Sequence, residues 1–333
     1  MSNFRLHWLV AASICGLTIS IITSNVVAQQ TELAANYPSR PVRIMIGFAA
    51  GGGTDAVARI IAQGLQEMLG GTFLVENKPG ASGRLAPESI SKSVPDGSML
   101  LGAAPGAMTI GTAIWDKIPY NIMTDFIPIS VVAEYPMVVV VNKDHPAKTI
   151  SELTAWLKAN PEKANYPSPS PVFTLPIEYF KIKTGAPGTL IFYRSSNESA
   201  LSLISGQTAF AFIEAPIAIP QIKSGNLRAL AVTIPTRIAD LPDVPTLAEA
   251  GVPDVLAASW FGLLAPARTP MPIVNKIEAA VRKIAGTEDF KSRMKAMSSN
   301  AVESTSEEFR ARMEAEVKMW TAVAKSANIK FEP

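Results

Sequence analysis

An apolar run, a glycine-rich loop and an amphipathic helix follow one another between residues 42 and 71, and this order constrains the fold most. Val42–Phe48 predicts a strand, and the segment Ala50–Asp55 that follows carries three consecutive glycines. Apolar residues then recur at helical spacing as far as Met68, and Gly70 and Gly71 end the helix. A strand, a loop and a helix in this order are typical of the first unit of an α/β domain.

The same alternation continues along the chain. Strands are predicted at Phe73–Glu76, Met99–Ala103, Ile129–Ala133, Met137–Val141, Leu190–Tyr193, Thr208–Ile213, Arg228–Thr233 and Trp260–Ala265. Capping boxes at Thr149–Glu152 and Thr305–Glu308 begin two of the intervening helices, the second of which runs to about Ser326. Alternating strands and helices predict parallel or mixed sheets that are covered by helices on both faces.

The first 28 residues have the pattern of an export signal. Arg5 precedes an apolar stretch from Leu9 to Ile22, which is too short for a comfortable membrane span. The small residues Val26 and Ala28 suit cleavage before Gln29. We therefore expect residues 1–28 to be a cleaved signal peptide, with a retained N-terminal anchor as the alternative.

Composition removes several kinds of chemistry. The chain has one cysteine, Cys15, which the predicted cleavage would remove, and two histidines, of which only His145 would remain. A disulfide framework, a cysteine nucleophile and a thiolate metal cage are therefore excluded, and no cofactor or metal is expected. A formal net charge of +2 argues against a nucleic-acid partner.

The loop Ala50–Asp55 is the strongest candidate for a binding site. Its glycines allow a ligand to approach the backbone, and the first N–H groups of the helix behind it favour an anion. No Lys-Ser/Thr pair follows at the spacing of a phosphate-binding Walker loop, and Gly51-x-Gly53-x-x-Ala56 matches a dinucleotide fingerprint only in its relaxed form. The alternative is an ordinary tight turn with Asp55 as the helix N-cap.

Two further loops of small residues follow predicted strands. They are Pro79–Gly83 and Ala103–Ala107. In open α/β sheets, ligands bind outside the carboxyl ends of the strands, so three such loops together favour a binding site over three unrelated turns.

Many spaced motifs resemble one family, the solute receptors of tripartite tricarboxylate transporters, also called Bug proteins. The resemblance covers residues 37 to about 330 in family order. The motifs are Tyr37-Pro38-x-Arg40-Pro41-Val42-Arg43, Phe48-Ala49-Ala50-Gly51-Gly52-x-x-Asp55, Glu76-Asn77-Lys78-Pro79-Gly80-Ala81, Pro95-Asp96-Gly97, Asp125-Phe126, Leu227-Arg228-Ala229-Leu230-Ala231-Val232-Thr233, Leu241-Pro242-Asp243-Val244-Pro245-Thr246-x-x-Glu249-x-Gly251 and Trp260-Phe261-Gly262.

The resemblance implies an α/β fold of the two-lobed type II periplasmic binding-protein architecture. A small organic carboxylate is then expected between the lobes, held at one end by the first strand–helix loop and delivered to a membrane permease. We place lobe 1 at residues 38–136 plus 235–333 and lobe 2 at 137–234, and expect a periplasmic monomer without enzymatic activity. The expected ligand-binding residues are Phe48, Ala50, Gly51, Gly52, Gly53, Asp55, Ser82, Pro105, Gly106, Ser170, Phe173, Thr174, Arg194 and Glu214.

Lobe 2 departs from the family pattern at three places. A usual Ser/Gly-rich loop is replaced by Pro167–Thr174, with three prolines; Arg194 stands near a usual lysine; and Glu214 replaces a usual aspartate. Arg194 and Glu214 are expected either to contact the ligand or to pair with each other. Together with Phe173 and Phe192, the prolines favour an aromatic or otherwise apolar mono- or dicarboxylate over citrate.

The sequence is also compatible with two other functions, and it predicts the placement of several further side chains. A receptor that serves a sensor kinase is one alternative; a secreted hydrolase is the other, although no G-x-S-x-G motif is present. We expect His145 in a surface turn, Trp156 and Trp320 in the core, and Trp260 either in the core or at the cleft. A solvated helix face is expected for Glu307, Glu308, Arg310, Arg312, Glu314 and Glu316.

Overall fold

The computed structural model describes residues 34–115, 117–193 and 195–329, so the predicted signal peptide lies outside the described residues. The strands are β1 (Val42–Ile46), β2 (Phe73–Asn77), β3 (Met99–Ala103), β4 (Phe126–Asn142), β5 (Asn165–Ser168), β6 (Thr189–Phe192), β7 (Phe210–Glu214), β8 (Leu227–Val232), β9 (Ala258–Pro266) and β10 (Asn300–Ala301). The α-helices are α1 (Gly53–Leu69), α2 (Leu85–Ser91), α3 (Thr109–Ile114), α4 (Ile150–Ala159), α5 (Pro171–Thr184), α6 (Ser196–Ile204), α7 (Ala215–Lys223), α8 (Met271–Ala285), α9 (Glu288–Ala296) and α10 (Ser306–Ser326). None of these helices has both the length and the apolar character needed to cross a membrane.

Strand β4 connects the two ends of the main sheet. Its first part pairs antiparallel with β9, from Phe126 opposite Pro266 to Pro136 opposite Ala258. Its second part, from Met137, lies between β7 and β8 and is antiparallel to both. The sequence predicted two separate strands here, and this was wrong. Pro136 has no N–H to give to a ladder, but it lies where the partner strand changes, so one strand continues through it.

The main sheet is mixed, as predicted, whereas β5 and β6 pair with each other in a separate two-stranded sheet. β1 lies between β2 and β3 and is parallel to both, whereas β3 is antiparallel to β9. The carboxyl ends of β1, β2 and β3 therefore meet at one edge of the sheet, and the three glycine-bearing loops follow them there.

Apolar side chains form separate cores on the two sides of Pro136. Two clusters draw on residues 37–135 and 260–313, which we call the first half. Two others draw on residues 137–258, the second half, and they include Leu241, Leu247 and Val255 of the segment after β8. The lobe boundaries predicted from the sequence stay a prediction.

A fifth apolar cluster joins the halves. Ile110 and Ile114 of α3 and Trp320 of α10, all outside the second half, pack with Leu175 of α5. Trp320 is buried in this cluster, as predicted. The contact holds the N-terminal end of α5 against the first half.

Helix α10 begins at the predicted capping box, in which the Thr305 side chain accepts from the Glu308 N–H and the Glu308 carboxylate accepts from the Thr305 N–H. The predicted solvated face was wrong for two of its residues. Arg312 bonds to Glu134 of β4 and, at 2.8 Å, to Glu316, which also accepts from the Trp260 indole at 3.0 Å. Because β4 and β9 lie under this face, its charges are paired and partly buried.

Candidate functional site

The loops after β1, β2 and β3 line a single cavity of about 450 Å³ between the halves, which we call the cleft. From the first half the cleft is lined by Phe48, Gly52, Gly53, Thr54, Gly80, Ser82, Gly83, Ala104, Gly106 and Trp115, and Ser259 lines it where β9 passes between the halves. From the second half it is lined by Ser170, Pro171, Val172, Phe173 and Glu214. Eight of the expected ligand-binding residues therefore share this cavity: Phe48, Gly52, Gly53, Ser82, Gly106, Ser170, Phe173 and Glu214.

The first loop presents the start of α1 to the cleft. Gly52 is the N-cap, and the first helical residues, Gly53 and Thr54, line the cavity. N–H groups in the first turn of a helix have no partner within the helix, and the helix dipole is positive at this end. The loop therefore offers backbone donors to an anion without any Lys or Arg.

Asp55 is not the N-cap, and the alternative of an ordinary N-cap aspartate was wrong. It is the third residue of α1 and is buried, and its carboxylate accepts from the Gly51 N–H at 3.0 Å. The N–H of Gly51, where φ is +85°, is thus used within the loop. Asp55, Gly51 and Ala50 do not line the cleft, and of these three expected residues Asp55 and Gly51 support the loop from outside the cavity through their hydrogen bond.

A side-chain network fixes Asp55 beneath the loop. Arg59 Nε lies 2.9 Å from Asp55 Oδ2, and Asn77 Nδ2 donates to Asp55 Oδ1 and to the Phe48 carbonyl, each at 3.0 Å. The bond from Arg59, with those from Gly51 and Asn77, lowers the pKa of Asp55 to about 2 in spite of its burial. The local sequence pattern predicts no role for Asn77, although Asn77 ends β2 and belongs to one of the family motifs.

The second loop has an unusual backbone. Four consecutive residues, Gly80, Ala81, Ser82 and Gly83, have φ values of +129°, +47°, +55° and +88°. Left-handed conformations at two non-glycine residues are strained and persist only where the surroundings impose them. The neighbouring first loop supplies that constraint, because a Cβ on Gly47 would lie 2.2 Å from the Gly83 carbonyl oxygen.

The third loop divides its residues between two cavities. Ala104 and Gly106 line the cleft, whereas Pro105 lines a second cavity of about 340 Å³ beside α3 and α10. Trp115, which the sequence analysis did not single out, also lines the cleft, and the Arg84 guanidinium lies 4.4 Å from the centre of its ring.

The second half brings the start of α5 to the cleft. Ser170 is the N-cap of α5, and Pro171, Val172 and Phe173 follow it along the wall. Thr174, also an expected ligand residue, is fully buried and donates to Ser168 Oγ at 2.8 Å, so it does not line the cavity.

Glu214 stands at the end of β7 and is the N-cap of α7. It lines the cleft, and burial raises the pKa of its carboxyl to about 7, although a hydrogen bond from Ser196 acts in the opposite direction. Arg194 lies outside the described residues, so its role and its pairing with Glu214 stay predictions. Phe192 is 66% exposed and does not line the cleft.

The other residues for which the sequence predicted a placement do not line the cleft. His145 follows β4 in a turn and packs against Trp156 with ring centres 4.5 Å apart, and Trp156 is only partly buried. Trp260 is fully buried, which decides between its two expected placements in favour of the core. Within the part of the chain that the structure describes, no three His, Cys, Asp or Glu residues are grouped as a metal site would require.

Comparison with known proteins identifies the family. The family model described as the tripartite tricarboxylate transporter family receptor matches residues 57–329. Protein BugT of Bordetella pertussis is 30% identical over 320 residues, which cover 94% of this chain and 97% of BugT.

Solved structures give the same result. Rpa4515 of R. palustris, determined with adipate, has 30% identity and a TM-score of 0.77, over 89% of this chain and 100% of that one. MatC of Rhodopseudomonas palustris, determined with bound malate, has 27% identity and a TM-score of 0.72, over 86% and 99%. The predicted α/β binding-protein fold and the predicted family are confirmed, and the chain belongs to the tripartite tricarboxylate transporter family of receptors.

Proposed function

We propose that this chain is a periplasmic solute receptor that binds a small organic carboxylate in the cleft and delivers it to a membrane permease. The observation that carries the proposal is the convergence of two helix N-termini, at Gly53 of α1 and Pro171 of α5, on one cavity between the halves. The N–H groups in the first turn of α1 and the positive dipole ends of both helices are suited to a carboxylate. At the start of α5, Pro171 has no N–H and the Phe173 N–H donates to the Ser170 carbonyl, so α5 contributes mainly its dipole. The cavity volume of about 450 Å³ is also within the range of small-molecule sites.

The walls of the cleft favour a ligand with an apolar body. Phe48, Trp115 and Phe173 contribute aromatic rings, and Val172 adds an aliphatic side chain. The two relatives were solved with adipate and malate, which are both small dicarboxylates. We propose an aromatic or aliphatic mono- or dicarboxylate with few hydroxyl groups, for which Arg194 is a further candidate partner by its position in the sequence.

Native mass spectrometry of freshly purified protein, followed by thermal-shift and titration calorimetry against benzoate, adipate, malate and citrate, tests this function. We expect at least one carboxylate to raise the melting temperature and to bind at one ligand per chain. Failure of every carboxylate in a broad panel to bind would contradict the proposal, and tightest binding to citrate would contradict the apolar ligand.

The finer assignments belong to the same proposal. We propose cleavage after Ala28, a monomer in solution, and release of the ligand chemically unchanged. N-terminal sequencing of the exported protein, light scattering and mass analysis of recovered ligand test these points.

Loss of carboxylate uptake in cells that lack the gene supports a transporter over a sensor kinase as the partner, and unchanged uptake contradicts it.

A further inference from the structure

Glu214 is an acidic side chain in a cavity that otherwise suits an anion. The cleft is lined by the first residues of α1, whose N–H groups attract negative charge, and by the start of α5, where the helix dipole is positive. Glu214 at the start of α7 nevertheless lines the same cavity. An ionised Glu214 would repel a bound carboxylate, whereas the neutral acid could donate a hydrogen bond to it.

The surroundings of Glu214 determine which form prevails. From β4, the Tyr135 hydroxyl donates to the Gly53 carbonyl at 3.2 Å. Burial and, after it, the charge of Glu214 raise the pKa of Tyr135, so Tyr135 lies near both the first loop and Glu214. From α6, Ser196 donates to Glu214. The N-terminus of α7 and the Ser196 bond both favour the carboxylate, but burial outweighs them and raises the pKa of Glu214 to about 7.

The other charged groups near the cleft are mostly engaged elsewhere. Asp55 is paired with Arg59 beneath the first loop, and Arg84 lies over the Trp115 ring. Glu198 of α6 is exposed, and Arg194 lies outside the described residues. Glu214 is therefore the titratable carboxyl that lines the cavity among the residues that the structure describes.

We propose that Glu214 enters the ligand complex as the neutral acid and donates its O–H to a carboxylate oxygen of the ligand, so that each carboxylate binds together with one proton. The inference rests on the proposed function. Benzoate stays ionised above about pH 5 and adipate above about pH 6, so at pH 7.0 and 8.5 the proton comes from solvent and is taken up by Glu214. Affinity then falls as the pH rises above the pKa of the free receptor.

The test is titration calorimetry with adipate and benzoate at pH 5.5, 7.0 and 8.5, each in two buffers of different ionisation enthalpy. With a pKa of about 7 in the free receptor, the Kd of the wild type rises about 30-fold from pH 5.5 to pH 8.5. At pH 8.5, proton uptake approaches one per ligand. Glu214→Gln, which keeps a donor and cannot ionise, binds with a Kd that changes less than about threefold and takes up no proton.

A matched control is Glu288→Gln, because the Glu288 side chain is 91% exposed on α9. It is expected to follow the wild type at every pH. A carboxyl C=O infrared band that is absent from Glu214→Gln and disappears near pH 7 in the ligand-free wild type gives the titration independently of binding.

Each outcome decides. A pH-independent Kd in the wild type, a Glu214→Gln variant that loses more than tenfold in affinity at pH 5.5, or an infrared midpoint below pH 5 overturns the proton-coupled contact while leaving the receptor function intact. Arg194→Ala that alone removes the pH dependence also overturns it in favour of an Arg194–Glu214 pair. If neither probe nor any other carboxylate binds any variant, the proposed function fails, and this proposal fails with it.

Discussion

The two walls of the cleft are built in different ways. The first half presents backbone and small residues, such as Gly52, Gly53 and Ser82, and its decisive side chains, Asp55 and Asn77, lie behind the loop. The second half presents side chains directly, with Phe173 and Glu214 in the wall. A backbone wall recognises a carboxylate whatever is attached to it, whereas a side-chain wall can change by substitution without disturbing the anion site. We propose from this difference that the first half binds the carboxylate group common to all ligands and that the second half selects among them.

The largest effect on ligand binding is expected from a side chain placed at a glycine of the first-half wall. Gly52 has ordinary φ, and a Cβ there would meet only the Ala49 carbonyl, at 3.7 Å, so Gly52→Val keeps the fold and places its methyl groups in the cleft. We expect every carboxylate to lose at least about 100-fold in affinity, or roughly 2.7 kcal/mol, in titration calorimetry.

Gly51→Val adds strain to this test, because φ is +85° at Gly51. Gly206→Val is its matched control: φ is +74°, the site is far from the cleft, and a Cβ has open space at both positions. If Gly51→Val and Gly206→Val lose similar stability but only the former loses binding, the first loop holds the anion. Normal binding by both Gly51→Val and Gly52→Val would place the anion site elsewhere.

Replacing Asp55, which supports the first loop from behind, is expected to lower the free energy of unfolding. The pKa of Asp55 is about 2 in the folded state against 3.8 as its ordinary value, so the ionised form stabilises the fold by about 2.5 kcal/mol above pH 4. This contribution falls to about half near pH 3 and is lost as the pH falls through 2. Asp55→Asn, measured by urea unfolding at pH 7 and pH 3 against Asp289→Asn, should show this difference; equal losses at both pH values would contradict it.

A change in the side-chain wall should alter the order of ligands rather than abolish binding. Phe173 is 7% exposed and shares the second-half core, and Phe173→Leu keeps most of its volume while removing the ring. We expect benzoate to weaken by about three- to tenfold relative to adipate, which corresponds to an aromatic contact of about 1 kcal/mol. An equal loss for both ligands would show that Phe173 only positions α5.

The smallest expected effect concerns Trp115, which with Phe48 contributes an aromatic side chain to the first-half wall. Arg84→Gln removes the guanidinium over the Trp115 ring, a contact of about 0.5–1 kcal/mol, so affinities should fall by no more than about fivefold. Arg43→Gln, on an exposed arginine of β1, serves as the control. A larger loss would mean that Arg84 itself contributes to anion binding.

The sequence predicted the first half of the site better than the second. The strand, the glycines and the helix are adjacent along the chain, so the position and polarity of the loop at Gly52 follow from local pattern. The support of the loop does not, because Asp55 meets Asn77 only after β1 and β2 pair. Trp115 gave no local indication, since it comes at the end of a short helix whose direction depends on packing against α5 and α10.

Two wrong expectations have the same origin. A solvated helix face was the reasonable prediction for Arg312 and Glu316, and only the contact of α10 with Glu134 of β4 overturns it. Likewise, Pro136 locally argues for two strands, and only the change of pairing partner allows one. In both cases the deciding partner is distant along the chain, which a pattern of nearby residues does not contain.

The continuity of β4 has a mechanical consequence. Since one strand belongs to the ladders of both halves, the halves are unable to slide past each other without breaking hydrogen bonds on β9, β7 or β8. A cleft that opens with these ladders intact would have to do so by a change of twist within a few residues around Pro136, where the Thr233 hydroxyl bonds to both the N–H and the carbonyl of Met137. The torsional stiffness of β4 would then limit how far the halves separate.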